Sequence, residues 1–152
     1  MKIKTKLFAE IEVDESKIIT FVNGIVGFPE LKDFLLIHDS EKESSISWLQ
    51  SIQEPAFAMP VINPLVIVPD YNPEIEDELI KPIGISGPEE MLVLVTITVP
   101  AEIEKMSINL RAPIIISGET RKACQVIADG EQYAVKYPIY DILMAAKEKA
   151  GE

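Results

Sequence analysis

The sequence predicts a mainly-β fold, a single-domain small β-barrel or pseudobarrel of about ten short strands, with short helices that include a C-terminal capping helix. Three patterns predict it. Short runs rich in β-branched residues recur along the chain, and each is ended by turn residues. Prolines crowd residues 55–73, where their missing backbone donors mark strand ends and bends. Only the last stretch, "YPIYDILMAAKEKAGE", repeats its apolar residues at helical spacing.

Strands and tight turns fill the first third of the chain. "KIKTKL" alternates lysines with Ile3, Thr5 and Leu7, which predicts a half-buried strand, and "KIITF" predicts another. Asn23-Gly24 predicts a tight turn because both residues tolerate positive φ. "FPELKDF" predicts a single helical turn that begins at Pro29, and "FLLI" predicts the next strand.

The middle third combines strands with an acidic segment. "SWLQSI" and "AFAMPVIN" predict two strands. The run from Leu65 to Val68 in "PLVIVP" predicts a short core strand, covered on both faces or crossing a barrel interior. "EIEDELIKPIG" predicts a short helix that ends at Pro82 and Gly84.

The last third contains the clearest strand and the clearest helix. "MLVLVTITV" predicts a central strand, and "SINLRAPIII" and "KACQVIA" predict two more. Asp129-Gly130 predicts a hairpin turn before a strand in "QYAVKY". The terminal helix is predicted from one apolar face, formed by Ile139, Ile142, Leu143 and Ala146. No linker or repeat interrupts the chain, so residues 1–152 are predicted to form one domain.

The charge of the chain favours protein partners over nucleic acid. The formal net charge is −11, and a polyanion such as RNA or DNA would be repelled, whereas a basic protein would be attracted. A second interpretation is that the charge only confers solubility. No apolar run is long enough to span a bilayer, and the alternating N-terminus does not resemble a secretory signal. With a single cysteine, these features predict a cytoplasmic protein.

Residues that could carry chemistry are few. His38 is the only histidine and is predicted to lie at a strand end, while Cys124 is predicted to be a buried, inert thiol. Acidic clusters lack the spacing of a calcium loop, and the glycines of "NGIVG" predict a turn instead of a phosphate loop. The sequence therefore predicts no enzyme, no metal site and no cofactor.

Candidate contact residues come from aromatic and acidic positions. Trp48 is predicted to be either a core aromatic or an interface anchor, and four other apolar side chains are predicted to be core: Phe21, Phe28, Phe57 and Met59. The predicted partner-binding surface, here called the acidic shoulder, consists of Asp70, Tyr71, Glu74, Glu76, Asp77 and Glu78. In it Tyr71 would anchor a partner inside a ring of charge, and the alternative is a solvated loop. Glu102 and Glu104 form a second candidate patch.

One resemblance covers nearly the whole chain. "IITFVNGIVGFPELKDFLLI" resembles the F-x-x-G-I-x-G-F-x-x-L signature of the flagellar assembly factor FliW family. "WLQSIQEPAFAMPVINP", "VPDYNPEIEDELI", "MLVLVTITVP" and "INLRAPIIISGETRKACQVI" follow in the order and approximate spacing of that family. The chain departs from it at Val22 and Val26, where many members carry proline, in "RKACQ", and in a longer C-terminus.

The resemblance implies a cytoplasmic bacterial protein with a β-barrel-like fold, no enzymatic activity and two alternative partners. One is flagellin before export, and the other is CsrA, a dimeric translational regulator that represses flagellin synthesis. Binding to CsrA would relieve that repression, and accumulating flagellin would reverse it. A charge of −11 fits this expectation, since carboxylates would attract CsrA and repel its RNA. Three other classes stay open: a flagellin chaperone without a translational role, a small-molecule-binding barrel or an unidentified enzyme, and an RNA-binding barrel. A monomer is expected for the chain alone.

Overall fold

The computed structural model describes residues 2–5, 9–22, 24–25, 27–38, 46–73, 77–84, 91–128 and 133–150. The chain begins with an antiparallel hairpin of β1 (Lys2–Thr5) and β2 (Ala9–Glu12). A 3-10 turn over Glu15–Lys17 follows, and the Asp14 carboxylate accepts a hydrogen bond from the Ser16 amide at its start. This capped turn leads the chain into the barrel.

Seven strands close into a barrel, and two more extend the sheet outside it. The nine strands of this sheet are β3 (Ile19–Phe21), β4 (Asp33–His38), β5 (Ile46–Ser51), β6 (Ala58–Ile62), β7 (Met91–Thr98), β8 (Ser107–Ile108), β9 (Ile114–Ser117), β10 (Lys122–Gln125) and β11 (Tyr137–Pro138). Around the barrel the order is β7, β6, β5, β4, β3, β10 and β9, and β9 pairs with β7 to close the ring. Only the pair of β3 and β10 is parallel. The predicted mainly-β barrel is confirmed.

Strand β7 joins the two halves of the sheet. Its middle, Val95 and Thr96, pairs with β6, while its first half, from Met91 to Leu94, pairs with β9. Its last residues, Ile97 and Thr98, pair with β8, and β11 adds to the far edge of β8. The prediction that "MLVLVTITV" forms a central strand is therefore confirmed.

Two predicted strands are shorter than the sequence patterns indicated. "SINLRAPIII" forms β8 and β9, separated by a turn in which Asn109 Oδ1 accepts hydrogen bonds from the Arg111 (3.0 Å) and Ala112 (3.1 Å) amides. Those amides are satisfied locally, so they do not extend the ladder. Of the described residues of "QYAVKY", 133–137, only Tyr137 lies in a strand, β11 (Tyr137–Pro138). The hairpin turn predicted at Asp129-Gly130 lies outside the described residues.

The prediction of a buried strand from Leu65 to Val68 is wrong. The first three of these residues belong to helix α1 (Pro64–Ile67). Asn63 Oδ1 accepts a hydrogen bond from the Leu65 amide at 3.0 Å, and Pro64 occupies the first helical position, where a missing N–H is tolerated. The predicted second short helix is confirmed as α2 (Asp77–Ile80), followed by a 3-10 turn over Lys81–Ile83.

The segment after Gly24 is a tight reversal, and the single turn predicted to begin at Pro29 follows it. The Leu31 amide donates to the Phe28 carbonyl at 3.1 Å, and the turn does not continue into a helix. Ile25 and Phe28 exchange two backbone hydrogen bonds, of 2.9 and 3.3 Å. Gly24 and Gly27 have φ values of 69° and 89°, and a Cβ on Gly24 would collide with the Pro29 backbone. The predicted need for two flexible positions is confirmed, and it is the reversal that requires them.

The barrel interior is an aliphatic and aromatic core. Its buried members are Ile19, Phe21, Ile25, Leu31, Phe34, Leu49, Val61, Leu94, Ile114, Ile116 and Ala123. Phe21 and Phe34 meet edge to face with ring centroids 5.2 Å apart. Phe57 and Met59 pack against this cluster, as predicted. Phe28 is 42% exposed, so the prediction that it is a core residue is wrong.

The outer wall of the barrel carries Trp48 and Gln50. Leu49 packs inside the barrel, so its neighbours in β5 point outward by strand alternation. Trp48 is half-buried there, which agrees only in part with its prediction as a core aromatic. Gln50 is fully buried, and its amide nitrogen donates to the carbonyls of Pro55 (2.9 Å) and Phe57 (3.2 Å). These bonds hold the turn between β5 and β6 against the barrel.

A second core lies outside the barrel, beneath helix α3 (Tyr140–Ala150). Its buried members are Ile62, Ile67, Tyr71, Val95, Ile97, Ile108, Leu110 and Ile139. Leu143 packs against it from α3, as the predicted helix face requires, whereas Ile142 is on the exposed side. The side chain of Ala146 lies outside the described residues. The predicted terminal helix is confirmed.

Candidate partner-binding surface

The acidic shoulder begins just after α1. Asp70 and Glu78 are exposed, and Glu78 lies in α2. Asp77 is the first residue of α2, but its side chain, like the whole of Glu74 and Glu76, lies outside the described residues. The structure thus places two of the predicted carboxylates in solvent.

Tyr71 is buried and is not an exposed anchor. Its side chain is 7% exposed, and its hydroxyl donates a hydrogen bond of 2.5 Å to the Leu110 carbonyl. Its ring meets the Tyr133 ring edge to face, with centroids 4.7 Å apart. The expectation that Tyr71 anchors a partner inside a ring of charge is therefore corrected: the ring already has an internal partner. The sequence offered no sign of this, because Leu110 is 39 residues away.

The buried tyrosine fixes the backbone of the acidic shoulder. The Asn72 amide donates to the Tyr133 hydroxyl at 3.0 Å, and the Tyr71 amide donates to the Val68 carbonyl at 3.0 Å. Burial raises the pKa of the Tyr71 hydroxyl, and the neighbouring Tyr133 raises it further. Tyr71 thus stays a neutral hydrogen-bond donor at physiological pH, and Asp70 is held next to a rigid point.

Helix α1 presents an apolar surface that the sequence patterns did not predict. Leu65 and Val66 are each 50% exposed, whereas Pro64 and Ile67 are buried. A four-residue helix turns two of its side chains outward, and a strand crossing a barrel would have buried them. The available signal was Asn63-Pro64, an N-cap residue followed by proline at the first helical position. We call Leu65, Val66 and Asp70 the α1 ridge.

The second candidate patch lies after β7. Glu102 and Glu104 are exposed at a 3-10 turn over Ile103–Lys105, and Ile103 between them is exposed as well. The Glu102 carboxylate is 3.2 Å from the Lys105 ammonium group. An exposed ion pair of this kind contributes little to stability. The positive charge of Lys105 offsets one of the two negative charges that Glu102 and Glu104 bring to this turn.

The side chains that could take part in catalysis or metal binding lie where the sequence predicted them, as far as the structure describes them. His38 is the last residue of β4, and its side chain lies outside the described residues. Cys124 is buried, so that part of its prediction is confirmed, and burial raises its pKa to about 11, which agrees with an unreactive thiol. Within the described ranges, no three His, Cys, Asp or Glu side chains are grouped closely enough to hold a metal ion. None of the helices in those ranges is long and apolar enough to cross a membrane.

Comparison with known proteins identifies the family. The profile of the FliW protein family matches residues 2–139. The chain is 51% identical over 146 residues to the flagellar assembly factor FliW of Lachnospira eligens, covering 94% of this chain and 97% of that one. It is 41% identical over 150 residues to the FliW of Caldanaerobacter subterraneus, covering 99% of this chain and all of the relative.

The fold agrees with that of a solved relative. A crystal structure of the flagellar assembly factor FliW superposes with a TM-score of 0.85 at 32% identity, covering 92% of this chain and 97% of the other. The relatives named here are all flagellar assembly factors. With the closed barrel, the matched profile and relatives aligned over almost their whole length, the chain belongs to the FliW family of flagellar assembly factors.

Proposed function

We propose that this chain binds the translational regulator CsrA, relieves its repression of flagellin synthesis, and exchanges CsrA for flagellin when unexported flagellin accumulates. It would act in the cytoplasm as a monomer, without binding nucleic acid or membrane directly. Family membership supports a role in flagellar assembly. The net charge of −11 supports a basic protein partner over RNA.

The single observation that carries the proposal is the α1 ridge. Two half-exposed aliphatic side chains, Leu65 and Val66, lie four or five residues before the exposed carboxylate of Asp70. Interfaces derive most of their affinity from a few apolar anchors at the centre, while charges at the rim guide encounter and orientation. The ridge offers both on one rigid segment, held from beneath by Ile67 and Tyr71.

The charge also gives a mechanism for relieving repression. A dimer that binds RNA presents basic groups, and the acidic shoulder would dock against such a surface. Once docked, its carboxylates would repel the phosphate backbone even where they do not cover the RNA site. We therefore propose an antagonism that is at least partly electrostatic and not purely competitive.

A competition titration tests the proposal. The protein is added to CsrA already bound to labelled flagellin-leader RNA, with and without flagellin. We expect the RNA to be released, and added flagellin to restore the RNA complex. No release together with intact flagellin binding would leave a flagellin chaperone without a translational role. No binding to either partner would overturn the proposal altogether.

Matched apolar variants locate the surface. Replacing Leu65 and Val66 together by serine should weaken CsrA binding by roughly tenfold or more, since it removes the proposed anchors. Ile127 and Val135 lie elsewhere on the chain and are 54% and 53% exposed. The control replaces these two residues by serine. Equal losses in both pairs would show that the α1 ridge is not the docking surface.

Matched charge variants separate the two acidic patches. Asp70→Lys with Glu78→Lys, and Glu102→Lys with Glu104→Lys, change the net charge equally, so they alter long-range attraction to a similar degree. We expect the first pair to lower the CsrA association rate more than the second. The reverse order would move the proposed contact to the Glu102 patch. Glu74, Glu76 and Asp77 stay predictions, and their reversal is the next series.

A further inference from the structure

One end of the barrel opens into a cavity of about 280 Å³. Its walls are aliphatic side chains from four different strands: Ile19 of β3, Leu36 of β4, Leu92 of β7 and Ile116 of β9. Ile19 and Ile116 belong to the interior core, so the cavity is a continuation of the barrel interior toward solvent. Leu92 is 38% exposed and stands at the opening.

Aromatic rings pack near the start of β4, away from the cavity. Along β4, Phe34 lies 6.3 Å from the ring of Phe57, which in turn packs on Phe28 at 4.9 Å. Leu36, two residues further along the same strand and on the same face, lines the cavity instead. Among the described residues, aromatic rings thus fill the barrel near the start of β4 and the cavity lies toward its end, and the mouth of a barrel is a common place for a small ligand.

Two cations line the cavity in this otherwise acidic protein, Lys17 and Arg121. Arg121 Nη2 donates to the Lys17 carbonyl at 3.3 Å, which brings the guanidinium group to the segment that carries Lys17. Within the described part of the chain, neither cation forms an ion pair with a carboxylate. Two positive charges therefore line the same cavity.

The backbone of Arg121 is held in an uncommon conformation. Its φ is +60°, a left-handed value that disfavours a residue with a Cβ by roughly 1 kcal/mol. The Arg121 amide donates to the Ser117 carbonyl at 3.0 Å, and its carbonyl accepts from the Thr20 amide at 2.9 Å. These bonds fix the residue between β9 and β3. A strained residue held from both sides beside a cavity is a feature of binding sites.

One carboxylate competes for these cations. Asp14 accepts hydrogen bonds from the Ser16 hydroxyl (2.6 Å) and amide (3.0 Å), and these bonds chiefly lower its pKa. Lys17 and Arg121 lower it further, so their positive field reaches Asp14. Because Asp14 is already engaged with Ser16, it offsets the field of the two cations without occupying the cavity.

We propose that the barrel mouth binds a small amphipathic carboxylate, with the alkyl chain in the cavity and the carboxylate between Lys17 and Arg121. The volume lies just below the range of drug-sized pockets, about 300–1,000 Å³, so it fits a ligand of about ten non-hydrogen atoms. Octanoate has this size. A polypeptide ending in an apolar residue offers the same chemistry, and the test distinguishes the two sources.

A titration followed by amide resonances of the isotopically labelled full chain tests the proposal. The probes are octanoate, its uncharged counterpart octanamide, and a short blocked peptide that ends in a leucine carboxylate. Octanoate should shift the amides around Ile19, Leu92 and Arg121 and saturate, with octanamide at least tenfold weaker. Equal binding of octanamide, shifts confined to other surfaces, or tighter binding of the peptide would each overturn the proposal.

Variants test the two cations and the cavity separately. Arg121→Asn removes the guanidinium group with a residue that tolerates left-handed φ, and Lys17→Gln removes the ammonium group. Each should weaken octanoate binding by about tenfold, the effect of one charged hydrogen bond. Lys122→Gln is the matched control, because it removes an exposed positive charge from neighbouring β10 and does not line the cavity.

Filling the cavity gives an independent test. Leu92→Trp places a bulky ring at a partly exposed position of the cavity wall, where we expect the fold to accommodate it. The ring would occupy the space proposed for the alkyl chain. We expect octanoate binding to disappear while the dispersed amide spectrum is retained. Undiminished binding in Leu92→Trp, or a loss in Lys122→Gln as large as in Arg121→Asn, would contradict the proposed site.

Discussion

The Tyr71 hydroxyl joins the acidic shoulder to the second core. It donates to the Leu110 carbonyl, and the ring packs on Tyr133, so one side chain ties the segment after α1 to the segment after β8. Tyr71→Phe should lower the free energy of unfolding by about 1–3 kcal/mol, because it leaves a buried carbonyl without its donor. Urea denaturation measures this. Tyr140→Phe, at the start of α3, is the control and should change stability by less than about 0.5 kcal/mol. A loss no larger than in the control would contradict the role assigned to this bond.

The Cys124 thiol reports how tightly a small outer cluster, formed with Ile83, Ile115 and Val126, packs on the barrel wall. Burial raises its pKa to about 11, so at pH 8 the folded protein should carry roughly a hundredfold less thiolate than the unfolded chain. Labelling by an aromatic disulfide at pH 8 should therefore be at least a hundredfold slower in native protein than in urea. Comparable rates in the two states would show that this outer cluster opens readily.

The same shift in the pKa of Cys124 makes stability depend on pH. Above about pH 9 the unfolded thiol loses its proton while the folded thiol keeps it, so unfolding becomes easier as pH rises toward about 11. Cys124→Ala should reduce that decline. Tyr71 acts in the same direction at higher pH, since its pKa is also raised by burial.

At the scale of elements, the turn between β3 and β4 depends on two glycines with different surroundings. A Cβ at Gly24 meets the Pro29 backbone, whereas a Cβ at Gly27 meets nothing within 4 Å. Both have positive φ, so alanine is strained at either. We expect Gly27→Ala to cost about 1 kcal/mol of unfolding free energy and Gly24→Ala at least about 2 kcal/mol more. Urea denaturation of both variants decides this, and equal losses would show that the backbone contact is not limiting.

Elements with long periodic patterns are predicted from the sequence better than elements with short ones. β7 and α3 carry patterns of eight and eleven residues, and both were predicted correctly. "PLVI" in α1 is four residues long, too short for a helical period to show. Its β-branched composition favours a strand, and the capping bond of Asn63 together with proline at the first position decides for a helix.

At the scale of the molecule, barrel closure depends on pairings between distant segments. A mainly-β chain with frequent turns predicts a barrel or pseudobarrel, but the pairing of β7 with β9 and the parallel pair of β3 with β10 leave no local mark. The candidate partner-binding surface also depends on contacts between distant segments. Acidic residues are visible in a sequence, whereas the burial of Tyr71 depends on Leu110 and Tyr133. Charge is a property of composition, and exposure is a property of the fold.

The net charge leads to a prediction that involves the whole surface. With a net charge of −11, the proposed association with CsrA should be accelerated by long-range attraction to basic groups that bind RNA. Salt screens this attraction, with a screening length of about 8 Å at physiological ionic strength. The association rate constant should fall by at least about tenfold between roughly 50 and 500 mM salt, while the dissociation rate changes much less. Stopped-flow mixing measures both constants. Since salt also weakens RNA binding, CsrA–RNA affinity is measured alone at each concentration. An association rate that is flat across this range would mean that apolar contacts of the α1 ridge, and not the charge, control recognition.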